Sequence, residues 1–211
     1  MTTNFKRRIL LAALAAIPFR AQLARAQAGS FTELKPPQPV ETGNKIEVVE
    51  FFWYGCPHCY NLEPLLETWL KKQPPDVEFR RIPAVFNERW ALDAGMFFTL
   101  EALGVLEKLH RPLFDAIHRD RLRTDDVAAR DQWLQKNGVD PKKFEDTFRS
   151  FGVQSKVKRA AQQTIAYKID GTPAMAVQGR YTVSVEQGNG QAGMLAAVDR
   201  LVDQVRKRKA G

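Results

Sequence analysis

Two cysteines, Cys56 and Cys59, are the only ones in the chain, and Pro57 and His58 separate them. Three chemistries suit such a pair. A structural staple is the plainest, but the ring it would close is only a few residues long, and stabilisation by a cross-link grows with the loop it closes. A metal site is the second, with His58 as a third ligand. A closed zinc site wants four ligands, and the other two histidines, His110 and His118, lack metal-motif spacing to the cysteines. A carrier of exported copper or zinc using Cys56, Cys59 and His58 stays open on this reading, because such sites can use few ligands. Reversible thiol–disulfide exchange is the third, and it explains most.

The elements around the pair favour exchange. Residues 46–53 (IEVVEFFW) are short, β-rich and mostly apolar, as in a strand covered on both faces. From Pro57 to Lys72 the pattern turns helical, with Leu62, Leu65, Leu66 and Trp69 on one side. Pro57 suits a first helical turn, where its missing N–H costs nothing, whereas Pro64 should kink the helix. The pair therefore sits where a strand runs into a helix. Residues three apart in a first turn are close enough to bridge. The free N–H groups and positive dipole end of that helix stabilise a thiolate on Cys56, the reactive form. His58, between the two, can favour the anion further. A stabilised thiolate stabilises the reduced protein, so the disulfide becomes the stronger oxidant. Glu50 lies in the strand expected to be buried and needs a partner or a raised pKa. The plain reading is a sheet-edge residue that reaches solvent or pairs with Arg80 or Arg81.

Val77–Ile82 reads as a second strand. Residues 88–169 carry no strand pattern. Leu106, Leu109, Leu113, Phe114 and Ile117 fall at helical spacing, with Pro112 a possible break, and Asp140-Pro141 reads as a helix cap and first position. Phe144, Phe148 and Phe151 form one apolar stripe, and Val153, Val157, Ala161, Thr164 and Ile165 another. Gly104 and Asn137-Gly138 read as helix stops. Ala174–Val177 and Tyr181–Val185 form a hairpin about Gln178-Gly179-Arg180. A last helix turns Met194, Val198, Leu201, Val202 and Val205 inward. Strand, helix, strand, helical block, hairpin and helix describe an α/β sheet core with an inserted helical domain.

The chain is 211 residues long with a formal charge of +8. Lys6, Arg7 and Arg8, an uncharged run from Ile9 to Phe19, and small residues at Ala24, Ala26 and Ala28 read in order as a secretory signal peptide. The run is too short for a membrane helix, which needs about 20 residues. Residues 1–26 form the expected signal, with cleavage after Ala26 or at Ala28. They hold five basic residues and no acid, so removing them takes +8 to near +3. The high pI therefore says little about nucleic acid, and the basic cluster Arg206–Lys209 reads as a solvated helix end.

The run Glu50-Phe51-Phe52-Trp53-Tyr54-Gly55-Cys56-Pro57-His58-Cys59-Tyr60 resembles the active-site segment of the DsbA family of bacterial periplasmic disulfide oxidases. Gly171-Thr172-Pro173-Ala174 resembles that family's cis-proline loop. The inserted helical block and the export signal agree with it. The resemblance covers essentially all of the mature chain. It implies a thioredoxin-like fold formed by residues 27–85 and 170–211, with residues 86–169 as the inserted helical domain. It implies that Cys56 is the sulfur substrates attack and Cys59 its shielded partner, with Pro57, His58 and Glu50 tuning the pair. Thr172 and Pro173 would bind substrate through the Thr172 backbone, although the family often carries valine before that proline. No cofactor and no metal are implied beyond the redox-active disulfide. The implied partners are folding exported polypeptides with free thiols, and a DsbB-like membrane quinone reductase that restores the disulfide. A periplasmic monomer is expected, because isomerases of the compartment usually add a dimerisation domain and no such segment precedes residue 46. An isomerase or reductase on the same fold, the metal carrier, and a binding module with a vestigial redox centre are the rival readings.

Overall fold

In a computed structural model, residues 31–210 are described; the expected export signal and both expected cleavage points lie outside them. The elements are β1 (Thr32–Glu33), β2 (Ile46–Phe52), α1 (Pro57–Leu70), β3 (Val77–Pro83), α2 (Glu88–Ala102), α3 (Leu106–His118), α4 (Val127–Lys136), α5 (Pro141–Phe148), α6 (Phe151–Ala166), β4 (Ala174–Val177), β5 (Tyr181–Ser184) and α7 (Gln191–Ala210). Five helices thus stand between the third and fourth strands, where the helical block was expected.

The strands form one sheet in the order β1-β5-β4-β2-β3. β2 runs parallel to β3 and antiparallel to β4. All seven residues of β2 are buried, which explains a run with so little polar alternation. Side chains alternate across a strand. Ile46 and Val48 pack with Leu62, Leu66 and Trp69 of α1 and with Met194, Val198 and Leu201 of α7. Val49 and Phe51 face the other way, towards Ile82, Ala160, Tyr167 and Ala176. Phe52 at the end of β2 joins a third cluster, the core of the helical block, with Met96, Phe97, Leu109, Leu113, Phe114 and Phe144. Cys56 and Cys59 belong to that third cluster. They therefore sit on the seam between sheet core and helical block.

The expected caps and turns are present. Asp140 accepts from the Lys143 N–H at the start of α5. Gln178 and Gly179 both have positive φ and form the tight turn between β4 and β5, closed by Arg180 N–H to the Val177 carbonyl. Four expectations need correction. Leu65 is 44% exposed, and Glu63 turns inward instead, at 2%, because buried partners await its carboxylate. Phe151 is 88% exposed and Ile165 77%. Ser150 caps a new helix there, so the stripe of α5 does not continue past Phe148. Pro112 lies inside a continuous helix and does not split it, and Pro64 lies within α1. β1 pairs with β5 at the edge of the sheet, and the Lys35–Pro36 bond that follows it is cis.

Candidate active site

Cys56 is the N-cap residue of α1, with Pro57 in the first turn. Its sulfur accepts a hydrogen bond from the Cys59 backbone N–H at 3.4 Å and, as a thiol, donates to the Thr172 carbonyl at 3.2 Å. The helix start thus gives the sulfur one of its unpaired N–H groups. Both cysteines are free thiols here. The Cys59 thiol, the Thr172 side chain, and the backbone N–H groups of Cys59 and His58 all favour the Cys56 anion. They outweigh its burial and bring its pKa down to about 5. Cys59 is 0% exposed. Burial, then the neighbouring Cys56 and Glu50, push its thiol well above the ordinary value. Two thiols three residues apart are therefore set far apart in acidity by their surroundings, one ready to leave as an anion and one disposed to hold its proton.

β2 and the β4 loop fix this geometry from two sides. Phe51 pairs with Ala174 across the sheet, so the end of β2 and the start of β4 lie side by side. That register brings Thr172 to Cys56. The Thr172–Pro173 bond is cis, the geometry the resemblance implies. Trp53 donates its indole N–H to buried Asp93 of α2 at 2.7 Å and stacks on Trp90 with ring centroids 4.2 Å apart. Its ring lies where a side chain at residue 55 would have to be, so only glycine fits beside Cys56.

Glu50 is fully buried and bonded to Arg81 at 3.1 Å, its cross-strand partner in β3. Arg81 also reaches Glu63 of α1 at 3.4 Å. One cation thus serves two buried carboxylates, and both cannot be ionised cheaply. Burial, with Glu63 adding to it and Arg81 opposing it, raises Glu50 to about 8. Glu63 is also penalised by burial, but the neighbouring His110 ring and the Arg81 charge bring it below the usual range. The shared proton therefore rests on Glu50 at neutral pH. Glu50 Oε1 has no hydrogen-bond partner among the described residues. A cavity of about 590 Å³ with Glu63, Arg81 and His110 in its wall opens on the far end of this network.

Sequence reading missed the grip of α3 on the active-site segment. His110 Nδ1 lies 2.9 Å from the Tyr54 hydroxyl and its Nε2 faces Glu63 at 3.6 Å. Burial holds His110 below its ordinary pKa, so it is neutral at pH 7. His118 Nε2 donates to the Tyr54 carbonyl at 2.7 Å, since a carbonyl can only accept. Asp115 accepts from the Tyr60 hydroxyl at 2.8 Å, and Arg111 lies over the Tyr60 ring. These contacts bracket Cys56 and Cys59 on both sides. Glu63 was within reach of sequence reasoning, because it follows Cys59 by four positions and shares its helix face. Nothing local marks the two histidines. His58 was expected to act through its imidazole. Its side chain is exposed, and the bond it gives the Cys56 sulfur comes from its backbone. Among the described residues no group of three or more His, Cys, Asp or Glu is placed to hold a metal.

Residues 47–201 match a family described as the DSBA-like thioredoxin domain. The chain is 45% identical over 208 residues to the thiol:disulfide interchange protein DsbA of Bordetella parapertussis, covering 98% of this chain and 99% of that one. It is 37% identical over 206 residues to the protein of that name from Pseudomonas aeruginosa, covering 95% and 97%. The crystal structure of Pseudomonas aeruginosa DsbA superposes with a TM-score of 0.81 at 37% identity, over 86% of this chain and 95% of that one.

Proposed function

The chain belongs to the DsbA family of thiol–disulfide oxidoreductases and acts through its cysteine pair, and from that premise we propose that it is a disulfide donor to exported polypeptides with free thiols. A substrate thiolate attacks Cys56 Sγ. The Cys56–Cys59 bond breaks and its electron pair leaves on Cys59, which takes up a proton. A second substrate thiolate then attacks the substrate's own sulfur in the mixed disulfide, and Cys56 departs as a thiolate. The substrate has lost two electrons as a new disulfide, and the enzyme holds them as a dithiol. A DsbB-like membrane quinone reductase takes them away and restores the Cys56–Cys59 bond.

The observation that carries this direction is the split in acidity between the two sulfurs. Cys56, at about 5, is a good leaving group and is stable when reduced, which makes the disulfide oxidising. Glu50 holds a proton beneath Cys59 at neutral pH and supplies it when Cys59 leaves. Pro57 starts the helix that shields the thiolate, and His58 adds to the field at its mouth. The backbone at Thr172, beside Pro173, pairs with the substrate chain in a short strand addition. The protein works as a monomer in the periplasm after loss of residues 1–26, with residues 27–85 and 170–211 as the catalytic domain and 86–169 as its helical cover.

The test is equilibrium of the Cys56–Cys59 pair with glutathione buffers of known ratio. A pair that stays reduced until the buffer is strongly oxidising supports the donor role. A pair that remains oxidised in reducing glutathione reverses the direction of electron flow and overturns it.

A further inference from the structure

The peptide unit between His58 and Cys59 is the one whose N–H donates to the Cys56 sulfur at 3.4 Å. At its other end, the His58 carbonyl accepts a hydrogen bond from Gln191 Nε2 at 2.7 Å. A carbonyl only accepts, so the amide nitrogen of Gln191 must be the atom that faces it. Gln191 amide, His58–Cys59 peptide and Cys56 sulfur thus form one continuous line of hydrogen bonds. In such a line each bond polarises the next: a donor at the carbonyl makes the N–H on the same peptide a stronger donor. The bond that gains here is the one whose acceptor becomes an anion, where hydrogen bonds are strongest.

Gln191 is the first residue of α7, 133 positions from His58 in the chain. The loop before it is braced to deliver it there. Gly188 N–H donates to Ser184 O, Asn189 N–H to Glu186 O and Gly190 N–H to Val185 O. Gln187 exchanges bonds with Ser184 at 2.9 and 3.2 Å. Gly188 lies directly against Gly193 and Met194, where a side chain on either glycine would strike backbone. The start of α7 is thereby fixed relative to β5, and through the sheet relative to β2 and the cysteine loop.

We propose that Gln191 is a positioning residue for the dithiol: by donating to the His58 carbonyl it orients and polarises the His58–Cys59 peptide towards the Cys56 sulfur and raises the thiolate share of the reduced enzyme. This rests on the reading of Cys56 as the sulfur that substrates attack. The effect belongs to the reduced state alone, since the disulfide holds no anion for the line of bonds to serve. Strengthening of about a tenth to a third, applied to one charge-assisted bond, corresponds to a Cys56 pKa higher by about 0.2 to 0.6 when Gln191 is lost. The glutathione equilibrium would move about 1.5- to fourfold towards the disulfide.

The test uses the mature protein with Gln191→Met, which keeps the length and removes the donor, and Gln191→Glu, whose oxygens cannot donate to a carbonyl. Cys56 is titrated by ultraviolet thiolate absorbance, and melting is followed in both redox states. Gln191→Met should raise the Cys56 pKa by the stated amount and lower the melting point of the reduced form more than that of the oxidised form. Gln191→Glu should raise the pKa further, because it adds a negative charge near the thiolate. A Gln191→Met protein that titrates within about 0.1 unit of the parent, or that loses stability equally in both redox states, makes Gln191 a plain structural tether and overturns the proposal. A parent protein whose Cys56 titrates near an ordinary thiol overturns the reading of Cys56 itself. The parent titration therefore tells the two failures apart.

Discussion

Lowering the pH should destabilise the reduced protein and leave the oxidised protein less affected, by an amount that Cys56 sets. Its folded pKa is about 5 against an ordinary thiol value of 9.0. A group whose folded pKa is depressed contributes stability that is fully present above its unfolded value and is lost as pH falls through the folded one. At pH 7 two of those four units are expressed, which is about 2.7 kcal/mol at most. At pH 4 almost nothing is left. Cys56 keeps 7% of its surface at the helix mouth, and screening there brings the expected difference to about 1–2 kcal/mol. Glu50 works in the opposite sense: its folded pKa is raised to about 8, so its contribution is complete at low pH and lost as pH rises through 8. That group is present in both redox states. Subtracting oxidised from reduced stability removes most of it and isolates Cys56. The assay is urea unfolding of both forms at pH 4 and pH 7, with the slopes checked for constancy. The reduced-minus-oxidised difference should rise by about 1–2 kcal/mol between the two pH values. A difference that stays level within about 0.3 kcal/mol means Cys56 is not a low-pKa thiol, and the argument for an oxidising couple fails with it.

Arg81→Met leaves Glu50 and Glu63 buried around an uncharged side chain. It should cost about 3–5 kcal/mol at pH 8 and less at pH 5, because without the Arg81 charge both buried carboxyls take up protons more readily as pH falls; equal loss at both, by urea unfolding, would remove the charge network as the cause. His58→Ala removes the imidazole and keeps the backbone N–H that serves the sulfur, and should raise the Cys56 pKa by less than about 0.7 unit; an unchanged thiolate titration confines His58 to its backbone contribution. Tyr54→Phe strands the His110 ring nitrogen in the core and should cost about 1–3 kcal/mol, read as a lower melting point in both redox states; no change would mean that the His110–Tyr54 bond does not hold α3 to the active-site loop. Cys59→Ser keeps the attacked sulfur and removes the resolving one, so mixed disulfides with exported proteins should accumulate on Cys56 and be visible on non-reducing gels. Their absence counts against the donor role.

The local pattern of the chain was enough for a good part of this protein. Cys56 and Cys59 at a strand-to-helix junction, with Pro57 in the first turn, are three features of adjacent residues, and the physics that links them acts within one helical turn. Burial of Glu50 was legible too, because the residues around it in β2 are nearly all apolar. Which arginine answers it was not legible. Arg80 and Arg81 are adjacent in β3 and point to opposite faces, and only the β2–β3 register places Arg81 opposite Glu50 and leaves Arg80 to Glu47. A slip of one residue would exchange them. The same limit explains Leu65 and Glu63. Helical spacing identifies a stripe but not which flank of it turns inward, and here Arg81 and His110 were waiting for a carboxylate. His110, His118 and Gln191 reach the active-site segment from 56, 64 and 133 positions away. Contacts of that span depend on how α3 and α7 pack against the sheet. Neighbour-to-neighbour chemistry therefore fixed the kind of reaction and most of the hydrogen bonding that favours the Cys56 anion, while the Thr172 contact, the burial of Cys59 and the partner of Glu50 came from packing between distant segments, which carries no mark in the local sequence.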